Sequence, residues 1–264
     1  LSEIPTDGLP ADFWPRVEHA PQRLLMLDYD GTLAPFVPDR DRAFPYPGIR
    51  ELLSELLVLQ RTRLVIVTGR AVADMPPLLQ LEPLPEIWGC HGWERRLAGG
   101  DIRRVELPVS VEGCLQRAWS RAVKAGIEDH LERKPASLAI HWRGLDEARK
   151  ARLEDVASRE WASLAADNDL QLHPFDGGLE LRCPGRTKGD AVRELRAESP
   201  PGTLAVYLGD DLTDEDAFAA LGEGDVGILV REQPRASRAS CRLRPPDQLL
   251  EFLRTWLRVC RHGG

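Results

Sequence analysis

At 264 residues, with 42% hydrophobic and 29% charged residues, the chain is long enough for one large α/β domain or for a core that carries a smaller insert. A net charge of −7 argues against a nucleic-acid partner and against attraction to an anionic membrane, and no apolar stretch reaches membrane-spanning length. Cys90, Cys114, Cys183, Cys241 and Cys260 are odd in number and lack metal-site spacing, so they read as reduced thiols of a cytoplasmic protein. The chain starts at Leu1 and not at a methionine, which fits a trimmed leader, and its N-terminus lacks the basic-then-apolar pattern of a signal peptide.

The first clear element is an apolar run at 24–27 that ends in Asp28-Tyr29-Asp30-Gly31-Thr32. Such a run, bounded by a turn, predicts a buried strand of a parallel sheet, and open α/β sheets bind ligands at the carboxyl ends of their strands. Two acids emerging there repel each other, and a hard cation such as Mg²⁺ relieves that cost. With the cation in place, Asp28 is suited to attack a phosphoryl group and Asp30 to move the leaving-group proton. The bland alternative is a strand end with a solvated Asp-Gly turn.

Residues 47–60 carry helical spacing at Ile49, Leu52, Leu53, Leu56 and Leu57, and a second apolar run at 64–67 stops at Thr68-Gly69-Arg70. Strand, helix, strand in that length predicts a right-handed βαβ unit. From about 102 to 182 the pattern changes: alternating stretches at 138–143 and 179–182 flank helical patterns near 111–127 and 146–165. This predicts a small α+β module at 102–182, inserted into a parallel-sheet core made of 1–101 and 183–264. A helix is predicted at 189–196, a third apolar strand at 204–208 ending in Gly209-Asp210-Asp211, and a helix from Asp214 to about 221. Residues 231–246 read as loop, and 247–261 as a closing helix.

Each strand end supplies a different tool. Thr68 offers a hydroxyl donor for a phosphoryl oxygen, although alone it would serve as a helix N-cap. Lys188, in Gly185-Arg186-Thr187-Lys188-Gly189, offers an ammonium to neutralise a nucleophile–phosphate pair, although alone it would be a surface lysine. Asp210, Asp211 and Asp214 bring enough carboxylates to complete an oxygen-ligand Mg²⁺ site, although alone they would cap a helix.

Together these residues resemble the four motifs of the haloacid dehalogenase (HAD) superfamily, in that family's order: Asp28-Tyr29-Asp30-Gly31-Thr32, then Thr68, then Lys188, then Gly209-Asp210-Asp211 with Asp214. The resemblance implies a Rossmann-like parallel-sheet core with an α/β cap inserted between motifs two and three. It further implies phosphorylation of Asp28, acid–base work by Asp30, and Mg²⁺ held by Asp28, the backbone carbonyl of Asp30 and Asp210, with Asp214 in support. Since dehalogenating members lack the second acid, Asp30 favours phosphoryl transfer.

A closer resemblance is to trehalose-6-phosphate phosphatases. It rests on Asp28 to Pro35, on Thr68-Gly69-Arg70, on Gly89-Cys90-His91-Gly92-Trp93-Glu94, and above all on Tyr207-Leu208-Gly209-Asp210-Asp211-Leu212-Thr213-Asp214-Glu215-Asp216-Ala217-Phe218. Ser137 to Arg143 is similar to a cap strand of that family, with Trp142 where a tyrosine is common. The implied partner is a small-molecule sugar phosphate.

The candidate substrate-binding residues are Arg70, His91, Glu94, Lys134, His141, Arg143 and Glu180, of types that bind sugar hydroxyls. Glu180 alternates with Leu179 and Leu181 and so faces away from them, toward ligand or solvent. Trp93 and Trp142 are candidates for stacking on a sugar, with core packing as the alternative. The same chemistry on glucosylglycerol, mannosylglycerate, sucrose or amino-cyclitol phosphates, a phosphomutase, and a non-catalytic sugar-phosphate-binding domain are the competing readings. No segment reads as a dedicated dimer helix, so the oligomeric state stays open.

Overall fold

The structure, a computed structural model, describes residues 6–167, 170–175 and 177–262. In chain order the elements are β1 (Thr6–Asp7), α1 (Phe13–His19), β2 (Gln22–Leu27), α2 (Ile49–Leu59), β3 (Arg63–Val67), α3 (Met75–Leu79), β4 (Glu86–Gly89), β5 (Glu94–Arg96) and β6 (Ile102–Arg104). Next come α4 (Val109–Lys124), β7 (Leu131–Lys134), β8 (Ser137–His141), α5 (Glu147–Asp167), β9 (Gln171–Phe175) and β10 (Gly178–Arg182). The chain closes with α6 (Lys188–Ala197), β11 (Thr203–Gly209), α7 (Glu215–Ala219), β12 (Val226–Val230), β13 (Cys241–Leu243) and α8 (Asp247–His262). Two compact units result: one is formed by 1–103 with 187–264, the other by 104–186. Among the described residues no helix is long and apolar enough to cross a membrane.

The first unit is built on a sheet of order β1-β13-β12-β11-β2-β3-β4-β5-β6, in which the strands from β1 across to β4 run parallel and β5 turns back antiparallel on β4. Alternation along β2 sorts its side chains to two faces. Leu25 and Leu27 join Phe13, Ile66, Leu208, Ile228, Phe252 and Trp256 on one, and Leu24 and Met26 join Val65, Val67, Tyr207, Val192 and Leu195 on the other. Both faces are therefore apolar, which is why the strands read as unbroken hydrophobic runs. Strand order reverses between β2 and β11: β3 and β4 follow on one side, β12 and β13 on the other. This is the switch point where an open α/β sheet leaves a crevice beyond its carboxyl ends.

The second unit is a four-stranded antiparallel sheet, β7-β8-β10-β9, with α4 and α5. Its core includes Cys114, Ala118, Leu138, Ile140, Trp161, Leu164 and Leu181, all buried, and the Trp161 indole N–H donates to the Ala118 carbonyl at 3.3 Å.

The three motif-bearing strands and the long helices fall where the spacing predicts them. The segment 231–246, read as loop, contains the three-residue β13, which is pinned parallel to β12. The helix expected from Asp214 begins as a short 3-10 turn at Leu212–Asp214 and becomes α-helical only at Glu215. None of the five cysteines is in a disulfide, and all are buried.

Candidate active site

Asp28 is the residue after β2, and its N–H still follows the sheet, donating to the Leu208 carbonyl at 2.8 Å. That register sets Asp28 beside Asp210, which leaves the neighbouring strand β11. Gly31, at φ +85°, turns the chain back sharply; a Cβ there would overlap the Asp210 carboxylate, so only glycine lets the two loops approach so closely. Thr32 then donates to Asp28 Oδ2 at 3.2 Å and lies 3.4 Å from Asp210 Oδ1.

Lys188 is the first residue of α6. Thr187 before it forms a capping box with Asp190, fixing the helix start and hence the lysine. The Lys188 Nζ, 3% exposed, donates to Asp28 Oδ1 and to Asp214 Oδ1, each at 2.7 Å.

Asp214 is buried and fully occupied: its Oδ1 also accepts from the Tyr207 hydroxyl at 2.6 Å, and its Oδ2 from the N–H groups of Asp210 and Asp211 at 3.0 and 2.9 Å. It shapes the turn that presents Asp210. Two guanidiniums brace the same turn from outside, with Arg235 Nη2 donating to the Asp211 carbonyl at 2.7 Å and Arg231 Nη1 reaching the Asp210 carbonyl at 3.4 Å.

Oxygens of Asp28, Asp210 and Asp214 all lie within 4.8 Å of one another. Burial pushes the Asp28 carboxyl up to about 7; Lys188 pulls it down, and Asp214 and Asp30 raise it further. Asp210 is driven well above the carboxylate range, first by burial and then by Asp28 and Asp214. One lysine therefore does not balance this group of acids, and a set of hard oxygen donors short of positive charge fits a divalent cation such as Mg²⁺. Asp28 and Asp210 keep lone pairs to offer it, whereas Asp214 has spent its own.

Thr68 caps no helix. Buried at the end of β3, its N–H donates to the Trp88 carbonyl at 2.8 Å and its Oγ1 accepts the Arg70 N–H at 3.1 Å. With that lone pair engaged, the hydroxyl proton is left to donate elsewhere. Asp30 lies apart from the three-acid group, and Arg70 holds both of its oxygens, Nε to Oδ2 at 2.7 Å and Nη2 to Oδ1 at 2.6 Å.

The turn after β4 puts Cys90 and His91 at positive φ, 51° and 56°, a conformation that non-glycine residues rarely adopt. His91 lies on Gly69, where a Cβ would meet its ring at 2.7 Å. Glu94 is buried, and its Oε2 accepts the Val72 N–H at 3.0 Å, tying β5 to the loop that follows Arg70.

In the second unit, one face of the sheet gathers charge. Glu180 Oε1 accepts from Lys134 Nζ at 3.0 Å and from the Ser137 hydroxyl at 2.7 Å, and His141 Nε2 meets Glu132 Oε2 at 2.7 Å. Arg143 lies against Gly177, whose Cβ would stand 2.9 Å from that of Arg143. Trp142 and Trp93 are both buried.

Sequence reading missed Glu132 and Ser137 in this cluster, and Tyr207, Arg231 and Arg235 around the β11 turn. For Glu132 a signal existed: it stands two residues before Lys134 on a strand and so shares its face. For the others the partnership is tertiary and leaves no mark in local spacing.

The profile of the trehalose-phosphatase family matches residues 26–247. Among curated proteins, the chain is 30% identical over 273 residues to a trehalose-phosphate phosphatase of Mycobacterium ulcerans, covering 96% of this chain and 65% of that one. The chain thus spans about two thirds of that relative's length. Among solved structures, the C-terminal domain of the C. albicans trehalose-6-phosphate phosphatase superposes with a TM-score of 0.81 at 22% identity, covering 97% of this chain and 99% of that one. A haloacid dehalogenase-like hydrolase from B. subtilis gives 0.58 at 13%, covering 88% and 98%. These two establish the fold, a HAD-type α/β core with a mostly parallel central sheet. With its acids, lysine and threonine gathered at the sheet's switch point and the family profile spanning both units, the chain belongs to the trehalose-phosphatase family.

Proposed function

We propose that this chain is a Mg²⁺-dependent phosphatase that hydrolyses trehalose 6-phosphate to trehalose and phosphate through an aspartyl phosphate on Asp28. The observation that carries the reading is Lys188 buried between Asp28 and Asp214 at 2.7 Å from each, with Asp210 alongside, in a chain of this family. Asp28 and Asp210, with the backbone carbonyl of Asp30, are the groups that would hold Mg²⁺. Bound there, the ion supplies positive charge that keeps the carboxylates ionised and neutralises the phosphoryl oxygens.

The residues divide the work. Asp28 attacks phosphorus while the bond to the sugar oxygen breaks, and Asp30 gives that oxygen its proton. Lys188 keeps the nucleophile anionic, and the Thr68 hydroxyl donates to a phosphoryl oxygen. Asp30 then takes a proton from water as the water attacks the aspartyl phosphate, which releases phosphate and restores Asp28. Sugar hydroxyls are assigned to the Lys134, His141, Arg143 and Glu180 cluster, with His91 in the first unit. Glu94, turned inward onto Val72, is assigned to holding the loop that carries Arg70.

The test is phosphate release from a panel of sugar phosphates with Mg²⁺, with and without EDTA. Fast release from trehalose 6-phosphate that EDTA stops is expected. Preference for another sugar phosphate would refute the substrate and leave the chemistry, and release that ignores EDTA would refute the metal.

A further inference from the structure

Arg70 was expected to bind substrate, yet its contacts point to a different task. Its backbone is pinned on both sides, the N–H on Thr68 Oγ1 at 3.1 Å and the carbonyl under the Cys90 N–H at 2.8 Å. Its side chain, 7% exposed, reaches across from β3 and takes both oxygens of Asp30, at 2.7 and 2.6 Å, while Asp30 itself is 30% exposed. The guanidinium carbon stands 5.6 Å from the centre of the Tyr29 ring, and Nη1 is buried with no hydrogen-bond partner.

A two-point contact between planar groups fixes the rotation of a carboxylate as well as its position, which one hydrogen bond does not do. Without it, a partly exposed aspartate on a turn would sample several rotamers, and a proton donor displaced by about an ångström loses much of its effect.

We infer that Arg70 is the positioning residue of the general acid: it holds the Asp30 carboxyl at the mouth of the Asp28 site and acts on the reaction through Asp30. In the step it serves, the bond from phosphorus to the alkyl oxygen breaks, the Asp28–phosphorus bond forms, and the proton passes from one Asp30 oxygen to the departing alkyl oxygen. Arg70 must yield that one oxygen and keep the other. The inference rests on the proposed role of Asp30.

A leaving group that needs no proton separates the possibilities. Values of kcat/KM are measured with Mg²⁺ for trehalose 6-phosphate, an alkyl ester, and for p-nitrophenyl phosphate, whose phenolate leaves unaided. The proteins are the unaltered chain, Arg70→Ala, Arg70→Lys, Asp30→Asn and Asp30→Asn with Arg70→Lys, each checked for an unchanged melting transition. Arg70→Ala should lower the alkyl-ester value by about 100-fold and leave the aryl-ester value within about threefold, the usual span of general-acid help. Arg70→Lys keeps the charge without the two-point grip and should recover only part of the loss. On the Asp30→Asn background, Arg70→Lys should change the alkyl-ester value by less than about twofold, because the group it acts through is gone.

A rise in KM at unchanged kcat, a full additional loss on the Asp30→Asn background, or equal losses on both esters would overturn the inference. Should the unaltered chain cleave the aryl ester and not trehalose 6-phosphate, the proposed substrate falls, and the same comparison is read with whichever alkyl phosphate is turned over. A chain that cleaves neither ester overturns both readings.

Discussion

Asp28 and Lys188 touch, yet their removal should act in opposite directions. The Asp28 carboxyl, 3% exposed, sits at about 7 where the unperturbed group sits at 3.8, because burial and neighbouring acids disfavour its charge. The folded chain therefore binds a proton that the unfolded chain has already lost, and stability falls as pH rises from about 4 through about 7. Asp28→Asn should abolish turnover yet raise the melting temperature in EDTA at pH 8, with the gain fading toward pH 4. Lys188→Met removes the ammonium that Asp28 and Asp214 share and should cost about 3–5 kcal/mol, the usual penalty for breaking a buried pair. Melting curves of both variants, with phosphate release alongside, check the pair. A lower melting temperature for Asp28→Asn at pH 8 would refute the electrostatic account. Such strain is typical of acids gathered for catalysis.

Between elements, the ion network at the far ends of the strands does structural work that no motif announces. Arg63 of β3 and Arg95 of β5 each grip Glu86 of β4, at 2.9 and 2.8 Å, and both reach Glu198 at the end of α6, at 2.7 and 2.5 Å. Arg95 also stacks over the Trp88 ring, 4.7 Å from its centre. Glu198 thus fastens the part of the sheet made before residue 104 to the helix made after residue 186. Hydrogen bonds from Arg95, and then Arg63, outweigh desolvation and hold its carboxyl at about 2, below the usual 4.5. A depressed acid contributes fully above its unfolded pKa and loses that contribution as pH falls toward the folded one. Glu198→Gln should therefore lower the melting temperature at pH 7, and the gap should narrow below about pH 4.5 and close near pH 2. A gap that stays constant from pH 7 to pH 3 would rule this out. Because the carboxylate is 41% exposed, the effect is modest.

The same distinction decides what was legible in the sequence. Strands β2, β3 and β11 announce themselves as apolar runs broken by the residues of the site, and α2, α4, α5, α6 and α8 by their spacing. Strand β12, Val226–Val230, is as buried as these, but it ends in Arg231-Glu232 and carries no site residue, so its apolar run has no motif at its end to mark it as a strand. Strand β7 reads Leu-Glu-Arg-Lys, and its charges make sense only once Glu180 and His141 stand beside it. The motif residues could be named from spacing; the grip of Arg70 on Asp30 and the bond from Lys188 to Asp214 could not, because they join residues 40 and 26 positions apart.

For the molecule as a whole, the cation site is a lever on stability. Mg²⁺ that binds the folded acids and not the unfolded chain should stabilise by about 2.7 kcal/mol at a concentration 100 times its dissociation constant. Calorimetry with Mg²⁺ against EDTA should show the transition move upward, and Asp210→Asn should remove the response. An identical shift in that variant would place the binding elsewhere.

The order of strands also constrains how the chain emerges from the ribosome. β11 lies between β2 and β12, so the strand that carries Asp28 keeps an open edge until residue 209 has been made. Residues 104–186, by contrast, form a continuous stretch with a sheet and core of their own. The unit at 104–186 is therefore free to finish first, while the earlier half of the core sheet waits with its edge unpaired. A chain truncated after residue 200 should resist protease across 104–186 and be cut within 22–89. Protection of both stretches would show that the first half closes without its central strand.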